Sequence, residues 1–245
     1  MLSVFFAIFR GSFIIHTQPM NTSPFYYQRV SDPAELQRYA MNYRILSGNE
    51  LPADYLQNAI VYQFYRGPIP VAGFMLNTRE MNRLRYFSYL TDGIRDRLLD
   101  DENLTEHDLL ELTANWKRRD LSARESRIYY TVMLTQAYKH ARLLGKAFLV
   151  GGSIIKAVKQ IQQELMERVI YHGPVGEHCR QSIREDNALL KIYVIELDDL
   201  PLQATVVLLN RYLIRATKNR VKQWLSNWRL PLAPKPLGAG EQQTA

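Results

Sequence analysis

The chain has 245 residues, of which 47% are hydrophobic and 22% are charged. This composition is typical of one globular domain with additions or of two small domains, and it excludes a chain that is disordered throughout. The formal net charge of +7 at pH 7 favours acidic partners, among them nucleic acid, phosphorylated cofactors, acidic proteins and anionic lipid. Charge alone does not choose among these partners.

The sequence contains a single cysteine, Cys179, so an intrachain disulfide is excluded and nothing favours an oxidising compartment. Cys179 lies close to His172 and His178, and the three side chains are candidate metal ligands. No fourth ligand follows at a recognised spacing, so we interpret this segment as an ordinary loop. We therefore expect a cytoplasmic protein without a metal centre.

The first 20 residues are apolar, but Arg10, Gly11 and Ser12 interrupt the run. The uninterrupted part is shorter than the about 20 residues that span a bilayer. The segment has no basic beginning and no clear small-residue cleavage site, so it is a poor signal peptide. We interpret residues 1–20 as an over-extended start, because Met20 begins a stretch that looks like a natural domain start. A weak membrane-contacting leader is the alternative.

The first third of the chain predicts a strand, a helix and a hairpin. The alternating residues Phe25–Val30 predict the strand, and Asp32 before a proline predicts the start of a helix that ends near Gly48. Two runs rich in aromatic and β-branched residues follow, at residues 59–65 and Ile69–Asn77. A short turn segment joins them, so they predict an antiparallel hairpin.

The middle and later segments alternate between predicted strands and helices. Residues 83–90 predict a short strand, residues 91–107 an irregular helix or loop, and residues 107–117 a further strand. Apolar residues at helical spacing predict a long helix over residues 123–144, which Gly145 caps. Later segments predict three strands and one helix: residues 147–150, 168–173 and 188–197 as strands, and residues 154–167 as the helix. This element order indicates a mixed α/β or α+β chain.

A long helix is predicted over residues 201–229, and its two sides differ in character. One stripe is basic: Arg211, Arg215, Lys218, Lys222 and Arg229. An adjacent apolar stripe ends in Trp224, Leu225 and Trp228. This arrangement suits a helix that lies at a membrane interface, with its cations toward anionic head groups, but it does not require one. The alternative is an amphipathic helix packed on the domain. Residues 230–245 are rich in Pro, Gly and Ala and predict a disordered tail.

Basic residues cluster where the strand over residues 107–117 gives way to the long helix. They are Lys117, Arg118, Arg119, Arg124 and Arg127. Only Asp120 and Glu125 oppose them in this segment. A helix N-terminus presents free backbone N–H groups, and arginine can bind a phosphate through two parallel hydrogen bonds. The segment therefore predicts a phosphate-binding site, and a solvated basic loop is the alternative.

Glu111 is the candidate catalytic carboxylate. In a regular strand it shares a face with Thr113 and Asn115, whereas apolar neighbours face the other way. A carboxylate in such a strand requires a function or a charged partner, and a general base is needed when a protonated amine is acylated. A salt bridge to a neighbouring strand or helix is the alternative.

Two short motifs and the element order resemble the GNAT acyltransferases over roughly residues 25–197. The segment "LLELTANWK" is similar to the "ELSR" strand of acyl-homoserine-lactone synthases and of long-chain N-acyl amino acid synthases. The segment "NYRIL" resembles the "YRVF" element on the first helix of those enzymes. The resemblance implies a mostly antiparallel central sheet flanked by helices, to which the long basic helix at the C-terminus is added.

The resemblance also implies a thioester donor and a set of contacts. Common GNAT proteins carry a glycine-containing pyrophosphate loop, but the corresponding segment here, "RRDLSARES", has no glycine. We therefore expect no tightly bound cofactor, and either acyl carrier protein or coenzyme A as the carrier of the acyl group. The implied donor contacts are Trp116, Lys117, Arg118, Arg119, Ser122, Arg124, Ser126 and Arg127. Arg44 and Asn115 are implied to contact the substrate, and Tyr171 is a candidate general acid.

We therefore expect an enzyme that transfers an acyl group from a thioester to a small amine, and the many apolar residues favour a fatty acyl group. A non-catalytic GNAT-like protein that binds acyl carriers or membranes is the alternative. Nucleic-acid binding through the basic helix is a third reading, but no helix-turn-helix, zinc or RNA-binding signature supports it. We assign residues 21–200 to the acyltransferase domain.

Overall fold

The computed structural model describes residues 24–154, 164–165, 168–176 and 189–210. These ranges contain seven strands: β1 Phe25–Val30, β2 Ile60–Arg66, β3 Ile69–Asn77, β4 Leu109–Lys117, β5 Phe148–Ser153, β6 Arg168–Pro174 and β7 Leu189–Glu196. They also contain six α-helices: α1 Pro33–Ser47, α2 Ala53–Asn58, α3 Arg85–Ser88, α4 Asp92–Asp101, α5 Ala123–Leu143 and α6 Leu200–Leu209. The mixed α/β class expected from the sequence is confirmed.

The seven strands form one sheet in the order β1-β2-β3-β4-β5-β7-β6. Strands β4 and β5 are parallel, and every other neighbouring pair is antiparallel. Helix α5 packs on one face, where Leu110 and Leu112 of β4 meet Met133 and Leu134. Helix α1 packs on the opposite face, where Tyr39 meets β4. The mostly antiparallel sheet flanked by helices is therefore confirmed.

The two helices that cover the sheet begin and end at residues suited to these positions. Asp32 caps α1 by accepting hydrogen bonds from the backbone N–H groups of the first turn, and Gly48 ends it in the left-handed conformation. Ser122 caps α5, and Glu125 completes a capping box with it. Gly145 follows α5 with a φ of 65°. The residues that predict these helix ends therefore contact backbone groups only a few positions away in the chain.

The strand predicted over residues 83–90 is wrong, because this segment contains the short helix α3. Tyr86 and Phe87 of this helix, and Leu90 just after it, pack into a core that also contains residues of β5 and β7. The backbone N–H of Tyr86 donates a hydrogen bond of 2.8 Å to the Glu111 carboxylate in β4. A contact made far along the chain thus overrides an aromatic pattern that favours a strand. Residues 91–107 contain α4 and a 3-10 turn, Glu106–Asp108.

Strand β4 contains a β-bulge in its second half. Thr113 pairs with Met75 and Trp116 pairs with Gly73, so two residues of β4 stand opposite the single residue between them in β3. Ala114, in the bulge, has a φ of 51°, which costs a residue other than glycine about 1–2 kcal/mol. Its carbonyl oxygen accepts a hydrogen bond of 2.8 Å from the Tyr39 hydroxyl. The bulge moves the side chain of Trp116 to the face covered by α1.

Several expectations fall partly or wholly outside the described residues. They are the leader at residues 1–20, most of the helix at 154–167, the segment with His178 and Cys179, the helix at 201–229 beyond Asn210, and the tail at 230–245. Within the described ranges, no helix is both long and apolar enough to cross a bilayer. In the same ranges, no group of three or more His, Cys, Asp and Glu side chains could hold a metal ion.

Gly73 provides a test of the contact between α1 and the sheet. A Cβ atom at Gly73 would lie 2.5 Å from the Tyr39 ring, 2.8 Å from Nε1 of Trp116 and 2.9 Å from the backbone oxygen of Tyr62. We expect Gly73→Ala to lower the free energy of unfolding by about 1–3 kcal/mol, the usual range for overpacking a core. Chemical denaturation measures this change.

Gly93 in α4 provides the matched control, because a Cβ atom there would meet nothing within 4 Å. Gly93→Ala should raise the free energy of unfolding by about 0.5–1 kcal/mol, since alanine favours a helix. Equal effects of the two substitutions would contradict the close packing of α1 on β3.

Candidate functional site

An opening between β4 and β5 forms the centre of the candidate site. The two parallel strands pair from Leu109 with Phe148 to Leu112 with Gly151, although β4 runs on to Lys117. Beyond the last pair the two strands separate, and the bulge in β4 lies at this point. The opening leads into a cavity of about 60 Å³, which is lined by the end of α1, by α3, and by the separated ends of β4 and β5.

Tyrosine side chains and one arginine form the polar wall of this cavity. They are Tyr43 from α1 and Arg85, Tyr86 and Tyr89 from and next to α3. The Arg85 guanidinium donates a hydrogen bond of 2.8 Å to the Tyr43 hydroxyl. Its Cζ atom lies 5.2 Å from the centroid of the Tyr43 ring and 5.8 Å from that of Tyr89. Burial raises the pKa of Tyr86 and of Tyr89, so both phenols are neutral hydrogen-bond donors near pH 7.

Glu111 is fully buried and lies among hydrogen-bond donors. Oε2 accepts hydrogen bonds from the Tyr55 hydroxyl at 2.8 Å and from Nδ2 of Asn77 at 3.2 Å. Oε1 accepts the backbone N–H of Tyr86 at 2.8 Å. Burial raises the pKa of the Glu111 carboxyl, and these donors lower it in part. No ion pair joins Glu111 to a basic side chain of the described residues, so the salt bridge considered from the sequence is not formed there.

The bulge changes which residues of β4 share a face with Glu111. Thr113 does so, as expected, but Trp116 takes the next place on that face instead of Asn115. The side chain of Trp116 is buried against the ring of Tyr39. Only the backbone of this residue could therefore contact the acyl donor. Asn115 lines the cavity, and its Oδ1 atom is buried without a hydrogen-bond partner among the described residues.

Arg44 and Tyr171, two residues singled out from the sequence, do not line the cavity. Arg44 is exposed on α1 and forms an ion pair of 3.2 Å with Glu50, whereas its neighbour Tyr43 lines the cavity. Tyr171 lies in β6 at the edge of the sheet, and its hydroxyl donates to the backbone oxygen of Pro174 at 2.8 Å. Strands β5 and β7 separate β6 from β4, so Tyr171 and Glu111 are not brought together.

The basic cluster at the start of α5 is exposed but partly neutralised. Arg118 forms an ion pair of 3.1 Å with Asp120. The Glu125 carboxylate accepts two hydrogen bonds, of 2.8 and 2.9 Å, from Arg66 of β2. Arg66 lowers the pKa of Glu125 to about 2, so a carboxylate already occupies part of the helix N-terminus. Arg119, in the same cluster, makes none of the ion pairs formed within the described ranges.

Sequence reasoning missed the residues that give the cavity its chemistry. Arg85, Tyr86 and Tyr89 belong to the segment whose aromatic pattern predicts a strand, and in a strand they would not face one cavity together. Arg66 was missed because it is far along the chain from Glu125, and only the sheet brings the two together. A helical reading of the run "RYFSYL" would have grouped Arg85 with Tyr89, since residues four apart share a helix face.

Comparisons with known proteins identify the fold. No family model and no curated protein matches the chain. The structure is similar to that of FeeM, an N-acyl amino acid synthase from uncultured soil microbes, with a TM-score of 0.51 and 15% identity over 75% of this chain and 97% of that one. An IAA acetyltransferase from Bacillus cereus gives a TM-score of 0.46 at 13% identity, over 71% of this chain and 99% of the other.

A polyamine N-acetyltransferase from Drosophila melanogaster gives a TM-score of 0.46 at 12% identity, over 71% of this chain and the whole of the other. At 15% identity, the likeness to FeeM establishes the fold and leaves the chemistry open. The fold expected from the short motifs and the element order is confirmed: this chain has the GNAT acyltransferase fold.

Proposed function

We propose that this protein is an N-acyltransferase that moves an acyl group from a thioester donor to an amine acceptor. The observation that carries the proposal is the opening between β4 and β5 at a cavity of the GNAT fold. Where two parallel strands separate, their facing backbone N–H and C=O groups lose their partners. An extended donor arm that contains amide groups can bind these groups as an added strand does.

The two faces of the sheet suit the two substrates. The basic cluster begins α5 on one face, and its exposed cations fit the phosphates of coenzyme A or of a carrier protein. The cavity wall formed by α1 and α3 belongs to the other face. The donor and the acceptor would thus approach from opposite faces and meet in the opening. The neutral acceptor nitrogen attacks the thioester carbonyl, the C–N bond forms and the C–S bond breaks. The proton that the nitrogen loses passes directly or through water to the departing thiolate, which leaves as the thiol.

We propose a positioning role for Glu111. Its carboxylate is fully buried, three donors occupy it, and it does not line the cavity. Through the backbone N–H of Tyr86 it fixes the start of α3, which carries Arg85 and Tyr86 into the cavity wall. Direct removal of the proton from the amine is the alternative role, and a carboxyl with a raised pKa suits such a base.

Incubation with acyl donors is the direct test of the proposed function. Octanoyl-coenzyme A and octanoyl-acyl carrier protein are each offered with a pool of amino acids and simple amines, and products are identified by mass spectrometry. We expect an N-octanoyl product with at least one donor. Binding of a donor without any product would favour the non-catalytic alternative. The contact of the C-terminal helix with membranes stays a prediction.

Glu111→Gln tests the role of the carboxylate. The glutamine amide turns an NH₂ group toward at least one donor, so we expect the free energy of unfolding to fall by about 1–3 kcal/mol. We expect turnover to fall by about 10²-fold or more. A direct base acts only when ionised, so kcat of the native protein would rise with pH through the raised pKa of Glu111, and the variant would lose this rise.

A positioning role predicts a different result, in which kcat falls by the same factor at every pH. Glu102→Gln is the control, because the Glu102 carboxylate forms an ion pair of 3.4 Å with Arg168 of β6. Unchanged turnover in a folded Glu111→Gln protein would exclude both roles.

The basic cluster is tested with the triple variant Arg118→Ala, Arg119→Ala and Arg124→Ala. We expect the donor KM to rise and its dependence on salt to weaken, because contacts between cations and phosphates are screened by ions. Arg118 is already paired with Asp120, so the pair of Arg119→Ala and Arg124→Ala should give most of the effect. The double variant Arg38→Ala and Arg97→Ala, on α1 and α4, is the control. A donor KM that responds equally to salt in all these proteins would contradict the phosphate contact.

A further inference from the structure

Helix α3 begins without a capping side chain of its own. The residue before the helix is Leu84, whose side chain accepts no hydrogen bond, and the helix has only four residues. The backbone N–H of Tyr86 donates instead to Oε1 of Glu111 at 2.8 Å. A carboxylate from another element thus takes the place of the usual N-cap side chain. The position of α3, and with it one wall of the cavity, therefore depends on where Oε1 of Glu111 points.

The contacts of the second carboxylate oxygen set the orientation of the first. The last torsion of a glutamate side chain is soft, so a carboxylate that is held by one oxygen only can turn. Oε2 of Glu111 accepts hydrogen bonds from the Tyr55 hydroxyl at 2.8 Å and from Nδ2 of Asn77 at 3.2 Å. The shorter of these two contacts comes from Tyr55, which lies on α2 and does not line the cavity.

The hydroxyl proton of Tyr55 points to the carboxylate. Nδ2 of Asn77 donates to the Tyr55 oxygen at 2.8 Å, so the oxygen acts as an acceptor on that side and its own proton is directed to Glu111. Burial and the charge of Glu111 raise the pKa of the Tyr55 phenol, which therefore keeps this proton near pH 7. Tyr55 is thus a constant donor to Oε2.

Asn82 holds the same network from the segment that leads into α3. Its Nδ2 atom donates to Oδ1 of Asn77 at 3.1 Å and to the backbone oxygen of Tyr55 at 3.2 Å. The Asn77 amide is therefore held with its oxygen toward Asn82 and its NH₂ group toward Tyr55 and Glu111. The three side chains form a series of donors that ends on the carboxylate.

We infer that Tyr55 is a positioning residue of the candidate site, whose hydroxyl holds the Glu111 carboxylate in the orientation that caps α3. Tyr55 acts on the cavity only through this carboxylate. Its effect on turnover rests on the proposed N-acyltransferase function, whereas its effect on α3 does not. The network that supports the cavity wall thus extends from β4 to α2, 56 positions earlier in the chain.

Amide hydrogen exchange in Tyr55→Phe tests this role without any substrate. Phenylalanine keeps the ring and removes only the hydroxyl. We expect the backbone amide of Tyr86 to exchange about 10-fold faster than in the native protein, which corresponds to the contribution of one hydrogen bond. The amides of α2 should keep their native rates, because the ring still packs there.

Tyr62→Phe is the matched control for this measurement. It also removes one hydrogen-bonded phenol hydroxyl, which contacts Gln136 at 3.2 Å and His140 at 3.0 Å on α5. The exchange rate of the Tyr86 amide should not change in this variant.

A variant without the carboxylate shows whether Tyr55 acts through Glu111. Glu111→Met keeps a side chain of similar length and removes both acceptor oxygens, so the Tyr86 amide should exchange faster in this variant. Adding Tyr55→Phe to Glu111→Met should then change the Tyr86 rate no further, because the contact that links the two residues is already lost. A further increase would show that Tyr55 acts on α3 by another route and would overturn the inference.

Kinetics with the better of the two octanoyl donors measure the consequence for turnover. We expect Tyr55→Phe to lower kcat by about 10-fold, because α3 loses its fixed position, and to leave the donor KM unchanged. A donor KM that rises by the same factor while kcat stays constant would contradict a role confined to the cavity wall. Tyr62→Phe should change neither constant.

The remaining outcomes separate the positioning role from packing and from the proposed function. An unchanged Tyr86 rate in folded Tyr55→Phe would overturn the inference, and so would faster exchange confined to α2. If Tyr55→Phe does not fold, Asn82→Ala removes the first donor of the series and should speed the exchange of Tyr86 to a smaller degree; no change there would overturn the inference. If Tyr86 responds as expected but no amine is acylated from either donor, the proposed function fails and the positioning of α3 by Tyr55 stands.

Discussion

The β-bulge at Ala114 is the constraint on which the candidate site depends. A regular β4 would continue to pair with β5, and the sheet would close where the cavity now lies. The extra residue bends the strand and increases its local twist, and pairing with β5 ends before it. The left-handed conformation of Ala114 is unfavourable, but the hydrogen bond from Tyr39 to its carbonyl oxygen offsets part of the cost. Helix α1 therefore stabilises the opening whose wall it also lines.

A buried polar network around Glu111 supports the wall of the cavity that α3 forms. The Glu111 carboxylate could not remain in an apolar sheet without partners, and it obtains them from Tyr55, Asn77 and the backbone of α3. The same contacts hold a helix of only four residues, which has little stability of its own. Loss of the Glu111 carboxylate would therefore remove the hydrogen-bond acceptor that fixes the start of α3. Through this contact, a residue that does not line the cavity positions residues that do.

Features with local causes could be predicted from the sequence. The strand Phe25–Val30 and the ends of α1 and α5 depend on alternation and on capping residues a few positions away, and these were predicted closely. The bulge could not be predicted, because its left-handed residue is Ala114 and lacks the glycine that usually marks such a position. Helix α3 was missed because its stability comes from a residue 25 positions later, which no local pattern contains.

The distinction between local and long-range causes also applies to two charged regions of the protein, the basic cluster at the start of α5 and Arg85. The cluster at the start of α5 was found from the sequence because its cations are neighbours in the chain, yet the fold adds Arg66 to it and engages Glu125 and Asp120. Arg85 has only Arg83 as a close basic neighbour in the sequence, and the fold packs its guanidinium against two tyrosine rings and beside the Tyr43 hydroxyl. Exposed charges in water contribute little individually, whereas a desolvated cation discriminates strongly between ligands. The less conspicuous of the two regions in the sequence therefore owes its character to the fold and not to neighbouring charges in the chain.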